Sequence, residues 1–383
     1  MQKKNIPLLC LITLLQGMVF YAAIATLYRQ AAGLSVFQIT ALEGISTALS
    51  LALEIPWGRL ADRLGYKRTL ILCNVLFFVS KLIFWRAESF GAFLAERLLL
   101  AVVISGLSGV DISMLYLSAP KAQAQRNLGW YHACGEAGLL LSGLLYVGLL
   151  SGQYRLSALW TAAAYGLAAV LTFFLAEVRE PAAREKHERL LPLLRTQLHT
   201  PGLLAAVLCG ALAGEVIHCV TVYFNQLQYV RCGLGDRAIG IAFGIAAVAG
   251  LLGPLSGGLT RRLGVRRTGL WLLLGAAACA AGLAFTRSGL LSIGLIALMS
   301  LLSALFSPLI SSIENDLITT SDRATALSVD AMIADSVILT LDLGLGRAAD
   351  GSLTLALGLC ALGTLIAAAL FSRIPKSNRS KGT

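Results

Sequence analysis

The sequence predicts an all-α membrane protein, with twelve transmembrane helices arranged as two six-helix bundles. Three observations favour this class. Apolar residues make up 57% of the 383 residues and charged residues only 13%, against roughly 25% charged residues in soluble globular proteins. The apolar residues form long runs with short polar breaks, and one basic motif recurs about half a chain later. A surface that faces lipid accounts for the missing charge.

Twelve apolar runs are long enough to span a bilayer as helices. They lie near 6–27, 36–57, 69–87, 92–119, 128–150, 156–177, 202–224, 238–259, 268–286, 289–313, 325–346 and 352–373. Helices are expected rather than barrel strands, because each run is long and continuously apolar, and a helix satisfies its own backbone groups in hydrocarbon. The first run follows two lysines and precedes a weak cleavage-like stretch, but its length favours an uncleaved helix over a signal peptide.

These runs predict four parts of the chain. An N-terminal six-helix bundle covers 1–178, a cytoplasmic linker 179–200, a C-terminal six-helix bundle 201–374 and a cytoplasmic tail 375–383. The linker is the longest polar stretch, and the tail is basic and rich in small residues.

An internal repeat supports the two-bundle arrangement. The stretch GRLADRLGYKR at 58–68 matches GGLTRRLGVRR at 257–267, and the GL, I and GI letters of 33–45 recur at 233–245. Each copy lies at the same place in its half. Since an even number of helices separates the copies, the repeats are parallel.

The distribution of Lys and Arg predicts the orientation, because cytoplasmic loops carry an excess of both. With the N-terminus inside, the inner segments hold 22 of the 31 basic residues, the outer segments hold 7, and 2 lie within helices. This asymmetry supports an even number of helices, with both termini in the cytoplasm, since one missed helix would reverse every following loop.

Composition also excludes several classes of function. The net charge of +11 does not indicate nucleic acid, because the basic residues lie in short turns rather than on one face. Eight cysteines and four histidines are scattered without metal-ligand spacing, so we expect no metal and no cofactor, and we interpret the cysteines as small buried residues. No nucleophile–base pair or phosphate loop indicates an enzyme.

The chain resembles the major facilitator superfamily over essentially its whole length. The stretch 58–68 is similar to the signature of that superfamily between helices 2 and 3, and LEIP at 53–56 fits the region before it. Weaker similarities to bacterial efflux-type members occur at 105–116 in helix 4 and at 323–328 at the start of helix 11. The resemblance implies a transporter in the bacterial cytoplasmic membrane whose two bundles give alternating access to a central cavity.

The resemblance also implies a conformational latch, in which Asp62 meets the cytoplasmic end of helix 11. The alternative is that Asp62 only balances local positive charge. Arg261 occupies the equivalent position in the second copy, so the sequence supports one such latch. The latch residues are Gly58, Asp62, Arg63, Gly65, Lys67 and Arg68.

Ionisable groups within the predicted helices are the candidate functional residues, because each costs about 2.5–3.5 kcal/mol at mid-membrane on insertion scales and needs a partner, water or a function. Acids outnumber bases among them, which suits a proton carrier, a cationic substrate or both. The candidates for proton coupling or substrate binding are Glu43, Arg97, Asp111, Glu136, Glu215, His218 and Asp335. The aromatic candidates for a cavity wall are Tyr21, Tyr116 and Tyr223.

Each candidate also has a structural interpretation. Asp111 either functions in transport or bonds a neighbouring helix. Glu215 and His218, three residues apart on one face, either share a proton or form a structural pair. Arg97 is linked to proton coupling by the resemblance, but its position also fits an interfacial arginine. Glu136 can pair with Arg126 or His132 instead.

The sequence therefore predicts a monomeric secondary transporter with membrane lipids and a small-molecule substrate as partners, and protons as the coupling ion. Export of small amphipathic or cationic compounds is the first interpretation. The glycine-rich stretch 135–143 lacks the central proline common in helix 5 of antiporters, and this absence weakens the interpretation as a proton-coupled exporter. The alternatives are proton-coupled uptake of a sugar, amino acid or peptide, or a sensor without transport on the same fold.

Overall fold

The computed structural model describes residues 4–108, 110–118, 124–178, 201–317 and 323–375. Within these ranges the chain forms sixteen α-helices and no β-strand. The helices of the first half are α1 Asn5–Gly17, α2 Ala25–Ala31, α3 Val36–Leu64, α4 Tyr66–Arg86, α5 Phe90–Leu107, α6 Val110–Leu117, α7 Ala124–Leu145 and α8 Tyr154–Thr172. Those of the second half are α9 Pro201–His218, α10 Asn225–Arg231, α11 Asp236–Gly250, α12 Ser256–Leu263, α13 Val265–Phe285, α14 Gly289–Leu317, α15 Arg323–Gly351 and α16 Leu353–Arg373.

All twelve predicted spans coincide with helical structure, which confirms the all-α membrane fold class. Ten stretches of the described chain are long and apolar enough to cross a membrane. The helices α8 and α15 occupy the other two predicted spans.

Three predicted spans are interrupted rather than continuous. The first stops after Gly17 and resumes through a 3-10 turn at Ala22–Ile24. The fourth breaks at Ser108, between α5 and α6. The eighth contains a 3-10 turn at Gly253–Leu255 between α11 and α12. Its Pro254 lacks the N–H that a continuous helix requires, which accounts for the interruption.

The first span also extends beyond its predicted end. Because α2 continues to Ala31, Arg29 lies inside a helix and is only 2% exposed. Arg29 was counted from the sequence among the seven basic residues of the outer segments, and that placement was wrong. A buried guanidinium needs a counter-charge, and this one has a carboxylate partner described below.

The described chain divides into two compact units. The first comprises Met1–Arg184 with Asp236–Gly244, and the second comprises Glu185–Gly235 with Ile245–Thr383. The four-part boundaries proposed from the sequence stay a prediction, and the linker at 179–200 lies outside the described residues.

Both units use the same packing scheme. In the first, α1 packs against α7 and α8, while α4 packs against α5 and α8. In the second, α9 packs against α15 and α16, while α13 packs against α14 and α16. Each of these helix pairs in the first unit has an equivalent pair in the second, so the two copies of the sequence repeat also share their helix packing.

The repeated turns share their backbone conformation as well. Gly33 and Gly233 have φ of 88° and 76°, and Gly65 and Gly264 have φ of 82° and 81°. Positive φ of this kind strains residues with a side chain. These values explain why glycine occupies the same aligned positions in both copies, although the neighbouring residues differ.

Candidate functional site

The first unit contains a buried group of five ionisable side chains, here called the ionic network. Arg97 Nη2 lies 2.5 Å from Glu43 Oε1, and Arg29 Nη2 lies 3.7 Å from the same oxygen. Glu96 Oε1 lies 3.5 Å from Lys81 Nζ, and Glu96 Oε2 lies 3.5 Å from Arg97 Nε. Arg97 therefore joins the two carboxylates into one network.

Four helices supply the network. Arg29 comes from α2, Glu43 from α3, Lys81 from α4, and Glu96 and Arg97 from α5. Side-chain exposure is 1% for Glu96, 2% for Arg29 and 7% for Lys81, but 17% for Arg97 and 20% for Glu43. Charges this buried are retained only when they are paired, so the network ties the four helices together.

Aromatic rings surround the cations of the network. Lys81 Nζ lies 5.2 Å from the ring centre of Phe77, 5.4 Å from Tyr165 and 6.0 Å from Tyr21. The guanidinium of Arg29 lies 5.6 Å from the ring of Phe84. Ring faces attract cations, and they partly replace the water that Lys81 and Arg29 lose on burial.

Asp111 has a different environment in the same unit. Its Oδ2 accepts a 2.5 Å hydrogen bond from the hydroxyl of Tyr131, and its Oδ1 accepts a 2.8 Å bond from the amide of Ile112. Both donors are neutral. Asp111 is thus a carboxyl group held by hydrogen bonds that do not fix its charge.

A small cavity adjoins Asp111 and Tyr131. Gln16 and Asn74, joined by a 2.6 Å bond from Nε2 to Oδ1, are among the polar residues in its wall, together with Thr13 and Thr172. The space suffices for about one water molecule. A water there could carry a proton between these polar groups, whereas a substrate does not fit in it.

In the second unit, Glu215 pairs with Cys219 rather than with His218. The thiol donates to Glu215 Oε1 over 3.3 Å, and the same sulfur lies 3.7 Å from Asp342 Oδ1. His218 is exposed and meets the ring of Tyr223 edge to face, with 5.3 Å between ring centres. The structure therefore does not show a Glu215–His218 bond.

The other predicted site residues are spread over both units. Tyr21 is buried and stacks on Phe84 at 4.2 Å between ring centres. Tyr223 is buried, whereas Tyr116 is 50% exposed. Glu136 is exposed and Asp335 half-buried. None of these five lies within the ionic network or in the wall of the Asp111 cavity.

The latch is described only in part, because the side chains of Gly58–Arg59 and Ala61–Arg63 lie outside the described residues. Gly65 is the N-cap of α4, and the amide of Lys67 donates to Glu177 Oε1 over 3.2 Å. A carboxylate is favourable at a helix N-terminus. No sequence pattern indicated Glu177, which comes from a distant part of the chain.

Three further acids of the helices lie outside the predicted site residues: Asp330, an ionisable group that the sequence already placed within helix 11, and Glu96 and Glu314, which it missed. Glu96 is the most buried acid of the network. Glu314 lies one residue beyond the predicted end of its span, in α14, which continues to Leu317. Asp330 is 7% exposed, and neither of its carboxylate oxygens has a hydrogen-bond partner within the described chain.

The Major Facilitator Superfamily matches residues 8–341. The chain belongs to this superfamily. Its members are transporters and not enzymes, and the chain is an integral membrane protein. The resemblance predicted from the signature turn is thereby confirmed.

Two curated relatives of the chain carry names of efflux proteins. One is the multidrug resistance protein MdtG of Salmonella paratyphi C (strain RKS4594), 27% identical over 236 residues, which are 57% of this chain and 55% of that protein. The other is the efflux pump azaK of Aspergillus niger, 29% identical over 159 residues, which are 39% of this chain and 34% of that protein. The chain thus spans about half the length of the first relative and a third of the second.

Solved structures support the same fold. A mutant form of the nucleoside transporter NupG is 13% identical with a TM-score of 0.83, covering 98% of this chain and 100% of that one. A bacterial homologue of the human lysosomal transporter Spinster, inward-facing and unoccupied, is 18% identical with a TM-score of 0.74, covering 97% and 96%. At these identities the likeness concerns the fold alone.

Proposed function

We propose that this superfamily member exports small amphipathic or cationic compounds across a bacterial cytoplasmic membrane in exchange for protons, by alternating access. The names of the two efflux relatives support export. The excess of acids over bases among the ionisable groups of the helices supports both proton carriage and a cationic substrate. Both chain termini are placed in the cytoplasm, on the basis of the distribution of Lys and Arg.

One observation carries the proposal of proton coupling. Four acids within the helices fall into two groups, those paired with cations and those bonded to neutral donors. Glu43 and Glu96 have Arg or Lys partners, whose positive charge compensates that of a carboxylate. Asp111 and Glu215 accept hydrogen bonds from Tyr131 and Cys219 instead. A carboxyl group without a cation can gain and lose its proton inside the membrane.

Protonation then biases the transport cycle. A neutral carboxyl group is cheaper to carry through a dry interface than a carboxylate. A proton on Asp111 or Glu215 therefore favours whichever conformation buries that group more deeply, and loss of the proton favours the other. A substrate that binds the other conformation more tightly then couples its own flux to that of the proton.

The experiment uses the full chain reconstituted in liposomes with an imposed pH gradient and a fluorescent organic cation as substrate. Asp111→Asn and Glu215→Gln should each abolish gradient-driven transport, while the proteins remain folded. Glu88→Gln is the matched control, because Glu88 is 75% exposed and pairs with Arg155 on the surface, where such pairs contribute little.

Normal gradient-driven transport in both Asp111→Asn and Glu215→Gln would refute the assignment of these residues. The gradient could instead drive accumulation of a sugar, amino acid or peptide, with no flux of organic cations. That result would refute export and favour the uptake function. No flux with any of these solutes would favour a sensor.

A further inference from the structure

Three residues of the second unit bring metal-ligating atoms together in the interior of the helices. Glu215 lies on α9, Cys219 begins the π-helical turn Cys219–Phe224, and Asp342 lies on α15. One ligand atom from each lies within 4.8 Å of those of the other two. Their exposures are 7%, 0% and 2%, so bulk water does not fill the space.

Two acceptors compete for one proton in this group. The single S–H of Cys219 faces two carboxylates, at 3.3 Å and 3.7 Å, and it can donate to only one of them at a time. Two carboxylates that meet at one buried thiol repel each other, and a buried charge is expensive unless a proton or a cation compensates it. A cation between the three side chains would attract both carboxylates and, once the thiol has released its proton, the sulfur as well.

A second thiol lies beside the group. Cys360 of α16 is fully buried and lies within electrostatic range of both Cys219 and Glu215. The helix α16 packs against both α9 and α15. Two thiols and two carboxylates thus lie in one region of this unit, although only Glu215, Cys219 and Asp342 have ligand atoms within 4.8 Å of one another.

We propose that Glu215, Cys219 and Asp342, with Cys360 beside them, bind a divalent cation of borderline softness, of the Zn²⁺ or Cd²⁺ type. Sulfur and carboxylate ligands in a set of four suit these ions. Mg²⁺ and Ca²⁺ require six or more oxygen ligands, which this group does not offer. Each thiol that binds the metal releases its proton.

This site departs from the expectation that the chain holds no metal. That expectation rested on ligand spacing along the sequence, and here the ligands are up to 145 positions apart, from Glu215 to Cys360. The proposal does not depend on export or on proton coupling, since it concerns binding to the resting protein.

The first test adds Cd²⁺ alone to the purified full chain in detergent and records the ultraviolet charge-transfer band of thiolate bound to cadmium. We expect one saturable site. Cys219→Ser should remove most of the band. Glu215→Gln or Asp342→Asn should weaken binding by at least about tenfold, because mutation of residues that only support the metal ligands already costs about that much. Cys209→Ser is the control, because Cys209 is equally buried on α9 but contacts the carbonyl of Ala367.

The second measurement needs only the wild-type protein, so it holds even if a variant does not fold. X-ray absorption at the cadmium edge should show sulfur and oxygen neighbours together. A shell of nitrogen and oxygen alone would overturn the proposal, as would wild-type protein without a saturable site. The same applies if His218→Gln abolishes binding while Cys219→Ser leaves it intact.

Discussion

Glu96 has the most demanding position in the ionic network. The network sets three cations against two carboxylates, and Glu96 neutralises Lys81 with one oxygen and Arg97 with the other. It is also the least exposed of the five. Removing its charge leaves buried cations that outnumber carboxylates by three to one.

We therefore predict that Glu96→Gln destabilises the protein by about 3–5 kcal/mol, the range for a buried pair that loses one partner. The measurement is thermal unfolding of the purified protein in detergent. Glu88→Gln, which removes a charge from an exposed surface pair, should change stability by less than about 1 kcal/mol.

A double variant separates electrostatics from packing. Lys81→Met in the Glu96→Gln background removes the cation that was left unpaired, while its apolar stem still fills the space among the rings. The double variant should be more stable than Glu96→Gln alone, because replacing a buried pair costs less than breaking it. Equal or lower stability of the double variant would contradict this account of the network.

Only part of this residue-scale picture could be predicted from the sequence. Asp111 was identified because it interrupts a run of small and apolar residues, and Arg97 because of its family resemblance. The partners of the network come from α2 and α4, and no local pattern connects Arg29 or Lys81 with Glu96. Pairing between helices depends on their packing, which the sequence of one helix does not encode.

At the scale of elements, α1 and α7 approach closely through glycines. A β-carbon at Gly138 would overlap the carbonyl oxygen of Leu14, and one at Gly17 would overlap the carbonyl oxygen of Gly135. Small residues permit such backbone contact between helices in membranes. The glycine-rich stretch of α7 is thus a packing surface in this structure.

We predict that Gly138→Ala destabilises the protein by about 1–3 kcal/mol, since the added methyl group meets backbone and must push α1 and α7 apart. Gly129→Ala on the same helix is the matched control, because a β-carbon there meets nothing within 4 Å. It should be neutral or slightly stabilising, as alanine is the better helix former. Unfolding in detergent measures both, and equal stability of the two variants would refute the close contact.

The interruptions of the helices show what local sequence can predict. The break in the eighth span follows from Pro254, which no continuous helix accommodates well. The breaks after Gly17 and at Ser108 have no proline beside them, since Pro7 lies in the first turn of α1, and hydropathy alone favours one unbroken helix in each run. Glycine and serine lower helix propensity only modestly, so packing decides whether the helix continues.

At the scale of the whole molecule, the internal repeat is the sequence feature that best predicts the architecture. It predicted two equivalent halves, and the two units share turns with the same backbone conformation and the same order of helix packing. Ten of the twelve predicted spans are recognisable from length and composition alone. The other two, α8 and α15, were predicted from their apolar runs, and their counterparts in the other unit, α16 and α7, are among the ten.

The last prediction concerns the orientation of these spans in the membrane. Gln153 and Arg287 are exposed between helices and are separated by four predicted spans, whereas Arg262 is exposed at the end of α12, three spans after Gln153. In intact cells a membrane-impermeant maleimide should therefore label Gln153→Cys and Arg287→Cys, and label Arg262→Cys only after permeabilisation. The unmodified chain is a suitable background, because each of its eight cysteines is buried or half-buried.

Labelling of Arg262→Cys in intact cells would reverse the orientation. Opposite behaviour of Gln153→Cys and Arg287→Cys would show that one of the four spans between them does not cross the membrane, and it would remove the charge asymmetry that supports cytoplasmic termini.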